Sequence, residues 1–85
     1  MRNILFYKYA NIKDLQEFRD KQFKLCKSLN LLGTILIAKE GTNGNLSGKV
    51  KDIENFKKHL KKDKRFSDIE FKEGITDKHS FKRLS

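Results

Sequence analysis

Apolar residues recur along this chain with two different periods, and the changes of period mark out its elements. Residues 4–9 are an aromatic and β-branched run with no acidic residue, the composition of a strand. Over residues 12–29 the period lengthens. Leu15, Phe18, Gln22, Leu25, Cys26 and Leu29 fall near one face of a 3.6-residue helix, with Gln22 as the polar interruption. Asn11 or Asp14 supplies the short acceptor that caps a helix start, and Asn30 suits the left-handed position that ends one. Residues 32–38 (LGTILIA) are almost continuously apolar, which predicts a strand covered on much of both faces. In the KEGTNGNLSG that follows, Asn43-Gly44 reads as a hairpin turn, and a short third strand around Leu46 ends at Gly48. Val50, Ile53, Phe56 and Leu60 stripe a second helix over residues 49–62. Its first turn holds Asp52 and its last turn Lys61 and Lys62, matching the helix dipole. Residues 65–66 then connect to a half-exposed strand over 69–72, and residues 75–85 show no period.

The resulting order is βαββαβ. It predicts an α+β ferredoxin-like sandwich of the acylphosphatase-like kind, with a four-stranded antiparallel sheet and both helices on one face. The expected strand order is 4-1-3-2. Eighty-five residues make one domain, placed at residues 1–74, with residues 75–85 as a tail. The absence of proline favours unbroken elements.

Charge adds a candidate partner. Twenty Lys and Arg against eleven Asp and Glu leave a net +9, an excess that suits a polyanion. Lys57, Lys58, Lys61, Lys62, Lys64 and Arg65 fall within nine residues and are candidate phosphate contacts, set against the ordinary alternative of a solvated helix face. Phe6, Tyr7 and Tyr9 on the first strand are expected chiefly to pack in the core; base stacking is the alternative. The turn residues Glu40, Gly41, Asn43 and Gly44 do not make a P-loop, since no G-K-[ST] follows, and Glu40 disfavours phosphate.

Candidate chemistry is sparse. Cys26 sits on an apolar stripe, so a buried and inert thiol is expected, and a lone cysteine excludes an internal disulfide. His59 and His79 have no partner at ligand or triad spacing, so neither a metal nor a cofactor is expected. An acylphosphatase would carry a glycine-bearing, arginine-ended loop after the first strand, and this chain has KYANIKD there. The short apolar run at the start suits neither a signal peptide nor a membrane span, and with the lone cysteine it predicts a cytoplasmic protein.

The stretch GTILIAKEGTNGNLSG (residues 33–48), centred on A-x-E-G-x-N-G, resembles the N-terminal domain of the bacterial rhodanese-domain tRNA uridine-34 hydroxylases of the oxygen-dependent type. Thr42 stands where that family has an aliphatic residue, and Asn45 where it has Thr. ILFYKYANI, DKRFSDIEFKEG and FKRLS match in order and spacing, so the resemblance spans essentially the whole chain. It implies a parent enzyme that 5-hydroxylates the wobble uridine of certain tRNAs, with the catalytic cysteine in a following rhodanese-like domain. Cys26 does not match that cysteine. The chain is then expected to be a non-catalytic piece, an excised domain or a truncated gene product. Its partners would be tRNA and the rhodanese-like domain. The rival expectations are a protein-interaction or dimerisation domain and, behind that, an acylphosphatase-like hydrolase.

Overall fold

Alternation along the first strand decides which way the whole sheet faces. In Arg2–Tyr9 (β1), Ile4 and Phe6 turn inward and are almost wholly buried, while Leu5, Tyr7 and Tyr9 turn outward. The computed structural model describes residues 1–75, and β1 is followed there by α1 (Leu15–Ser28), β2 (Leu32–Ala38), β3 (Gly41–Gly48), α2 (Val50–Lys61), a 3-10 turn (Lys64–Phe66) and β4 (Phe71–Ile75). The strands form one antiparallel sheet in the order β2-β3-β1-β4, the expected order read from its other edge. The fold is the acylphosphatase-like ferredoxin sandwich, with α1 and α2 contributing Phe18, Cys26, Ile53, Phe56 and Leu60 to the core over the inward face. Beyond Ile75, the expected tail and His79 lie outside the described residues.

The glycine-rich segment differs most from its reading as a turn. The turn is Lys39-Glu40, because Ala38 pairs with Gly41, and Asn43 and Gly44 lie inside an eight-residue β3. Gly44 is directly opposite Phe6, and a Cβ there would stand 2.3 Å from the Phe6 ring. Its missing side chain is therefore a packing requirement, not a turn requirement. Gly41 has φ 155°, and a Cβ on it would meet the Lys8 carbonyl at 2.3 Å, so it closes the turn tightly against β1.

Other differences follow from the single helical layer. β2 is an edge strand whose Ile35 and Ile37 pack inward, whereas Leu36 is 60% exposed on the uncovered face. It is thus not covered on both sides. α1 starts at Leu15 rather than residue 12, and Ile12 is buried in the preceding loop. Asp14 takes the N-cap position but makes no side-chain capping bond. Ile69 is buried just before β4 instead of opening it. Val50, expected in the α2 stripe, is exposed. Asn30 does adopt positive φ, at 56°.

Phe6 contacts Phe56 of α2 at 5.6 Å and Phe71 of β4 at 5.5 Å between ring centroids. One ring therefore ties together three strands and a helix. Gly44→Ala is expected to lower stability by about 1–3 kcal/mol, since the added methyl must displace that ring. Urea denaturation checks it, and the loss should shrink in a Phe6→Leu background.

Candidate nucleic-acid interface

The six basic residues expected to meet phosphate do not form one patch. Lys57 turns back to the sheet and pairs with Glu54 at 2.8 Å and Glu73 at 3.0 Å. Burial disfavours its charge, but the two carboxylates outweigh that and hold its pKa above the ordinary value. Arg65 is also engaged. It grips Asp63 through Nε at 3.0 Å and Nη2 at 2.6 Å, and it donates to Asp14 at 2.7 Å. Its guanidinium lies 5.2 Å from the Phe18 ring centroid and 5.6 Å from that of Phe66. Arg65 is thereby a clamp between the α1 start and the 3-10 turn. Lys58, Lys61, Lys62 and Lys64 are exposed and form no ion pair with a described residue. Lys61 lies 5.8 Å from the Phe71 ring centroid.

Between α1 and the end of α2 lies a cleft of about 330 Å³, where Lys21, His59 and Lys62 meet Asp14, Glu17 and Asp63. Its charges are mixed, so it offers no concentrated anion site. Cys26 is buried, and burial raises its thiol to about 12, consistent with an inert core role. Among the described residues no group of His, Cys, Asp and Glu is arranged to hold a metal ion, and no helix is long and apolar enough to cross a membrane.

The uncovered sheet face has a different character. Tyr7 is 58% and Tyr9 71% exposed, with ring centroids 5.0 Å apart at 76°. A hydrogen bond with Tyr9 raises the Tyr7 phenol above its ordinary pKa. Only Phe6 of the three first-strand aromatics packs in the core; the two tyrosines stand in solvent. Leu5, also exposed, lies opposite Asn45 and Lys72, and Tyr7 lies opposite Asn43. Period-two alternation was the signal that could have placed both tyrosines outward.

The loop after β1 is where an acylphosphatase would bind phosphate. Here the Ala10 amide donates to the Glu40 carbonyl and the Ile12 amide to the Lys39 carbonyl, both at 2.9 Å. Those donors are spent on the β2–β3 turn.

The fold is shared with acylphosphatase from Bacillus subtilis, which superposes with a TM-score of 0.71 at 14% identity, covering 98% of this chain and 93% of that one. A bacterial light-regulated adenylyl cyclase superposes at 0.68 with 21% identity, covering 92% of this chain and 24% of that one. These likenesses define the class as an acylphosphatase-like α+β domain. More particularly, the chain belongs to the UPF0176 acylphosphatase-like domain family, whose pattern it matches over residues 1–85. The tRNA uridine(34) hydroxylase of Onion yellows phytoplasma is 50% identical over 82 residues, covering 96% of this chain and 27% of the relative. That of Bacillus velezensis is 43% identical over 83 residues, covering 98% and 26%. The chain thus spans about a quarter of the length of these relatives.

The Arg65 clamp makes a pH prediction. Hydrogen bonds from Arg65 are the largest cause holding both Asp14 and Asp63 below the ordinary carboxylate pKa. Depressed carboxylates stabilise the fold above their unfolded pKa of about 4, and that contribution is lost as pH falls below it. Arg65→Gln should flatten this acid limb, and breaking the Asp63 half of the clamp should cost about 1 kcal/mol near neutrality, given its partial exposure. Denaturant titrations from pH 7 downward measure both effects.

Proposed function

We propose that this chain is a non-catalytic, tRNA-holding domain of a tRNA uridine(34) hydroxylase, acting beside a separate rhodanese-like catalytic domain. The observation that carries the reading is the group Lys58, Lys61, Lys62 and Lys64, four exposed cations around the end of α2 with no carboxylate partner among the described residues. Such cations bind phosphates by releasing counterions, which gives strong salt dependence and little sequence preference. Family membership and the similarity to tRNA uridine(34) hydroxylases support tRNA as the polyanion. Lys57 and Arg65 act in this reading through the fold, because their charges are already met by carboxylates. The spent amides after β1, and the lack of arginine and glycine there, favour a holding role over acyl-phosphate hydrolysis. In the cytoplasm the domain would meet tRNA directly.

The test is titration of bulk tRNA into the 85-residue chain at several salt concentrations. Lys58→Glu, Lys61→Glu and Lys62→Glu together should weaken binding and reduce the logarithmic salt slope by about three. An unchanged affinity and slope in the folded triple variant would overturn the reading.

A further inference from the structure

We propose that the groove beside Tyr7 and Tyr9, on the uncovered face of the sheet, holds an unstacked base of single-stranded RNA. The inference rests on the tRNA-holding reading but assigns a second site, on the opposite layer from the α2 lysines.

The groove has a volume of about 170 Å³ and is lined by Tyr7, Lys8, Tyr9, Glu40, Gly41 and Asn43, among others, and the Lys8 ammonium is held by Asp68 at 3.0 Å. Its aromatic wall comes from the end of β1, where Tyr7 pairs with Asn43 and Tyr9 with Gly41 of β3, and the pairing with β4 reaches as far as Phe6. The two rings are exposed, meet edge to face and sit on one side of the sheet. Exposed aromatic rings on a sheet stack bases in a sequence-tolerant way. Single-stranded loops are the RNA segments whose bases are free to splay onto such rings.

The groove's polar groups fit a base better than a phosphate. The Asn43 amide carries both donors and an acceptor, and Glu40 carries acceptors that suit base N–H groups while repelling phosphate. The signature residues thereby divide their work. Gly41 closes the turn, Gly44 admits the Phe6 ring, and Glu40 and Asn43 line the groove. The backbone of the same RNA has a cation on this face: exposed Lys72 of β4 projects on the groove's side, opposite Leu5. With a net charge of +9, the chain as a whole matches a polyanion better than it matches a neutral protein surface.

The probe is a labelled oligouridine of about ten nucleotides, titrated by fluorescence anisotropy into the full 85-residue chain, with an RNA duplex in parallel. Tyr7→Ala with Tyr9→Ala should weaken single-strand binding about tenfold or more and leave duplex binding unchanged. Tyr7→Phe with Tyr9→Phe should retain it. Both positions are exposed, so melting curves should stay close to the parent's. Parent-like single-strand affinity in the alanine pair, or no single-strand binding by the parent at low salt, overturns the proposal. So does an alanine pair that leaves RNA binding intact while dispersing an oligomer seen by sedimentation, which would give this face to a protein partner. The triple lysine variant separates the two readings. If it leaves both RNAs bound while the alanine pair loses the single strand, the basic group fails and the groove stands.

Discussion

The seating of the Phe6 ring over Gly44 is the constraint on which the rest of this structure depends. A Cβ on Gly44 would come within 2.3 Å of that ring, so the central strands approach only because the glycine is bare. The ring reaches from there to Phe56 on α2 and Phe71 on β4. Register matters as much as volume. A slip of one residue between β1 and β3 would put Asn43 or Asn45 opposite Phe6 and turn Phe6 outward. In a chain this small, one aromatic cluster specifies the pairing of most of the sheet.

That register has a consequence on the other side. Once Ile4 and Phe6 are inward, Leu5, Tyr7 and Tyr9 must be outward, and both helices are already committed to the inward face. Asn43 and Asn45 are carried outward by the same parity on β3. The exposed face is therefore a direct product of core packing. Its two tyrosines and two asparagines set ring faces beside amide donors and acceptors.

Fold class was legible because its signals were redundant. Helical stripes at Phe18, Gln22 and Cys26, and at Ile53, Phe56 and Leu60, each give a period of 3.6, and the apolar runs between them give strands. Asn43-Gly44 was misread as a turn because it carries the strongest local turn chemistry in the chain, yet tertiary contact with Phe6 claims the glycine. The actual two-residue turn, Lys39-Glu40, uses positive φ only at the following Gly41, so it leaves a weaker trace. β2 looked doubly covered because continuous apolarity does not distinguish a buried strand from an edge strand with apolar residues, here Leu36 and Ala38, in solvent. The basic group was visible as composition. Its division was not, because the partners of Lys57 and Arg65 include Glu73 and Asp14, sixteen and fifty-one residues away.

This division bears on how a strongly basic domain keeps its fold. Lys57 and Arg65 each sit between two carboxylates, with aromatic rings close by. Neutralised in this way, they brace β4 and the 3-10 turn against α2 and α1 without adding to the repulsion among like charges. The cations left over, Lys58, Lys61, Lys62 and Lys64, stand at the end of α2, where the helix dipole favours positive charge. An anionic partner would relieve their mutual repulsion, whereas the same partner gains little from Lys57 or Arg65. Six cations within nine residues thus separate into two that hold the domain together and four that stand in solvent. The carboxylates that make the separation are Glu54 of α2, Glu73 of β4, and Asp14 and Asp63 at the N-caps of α1 and the 3-10 turn.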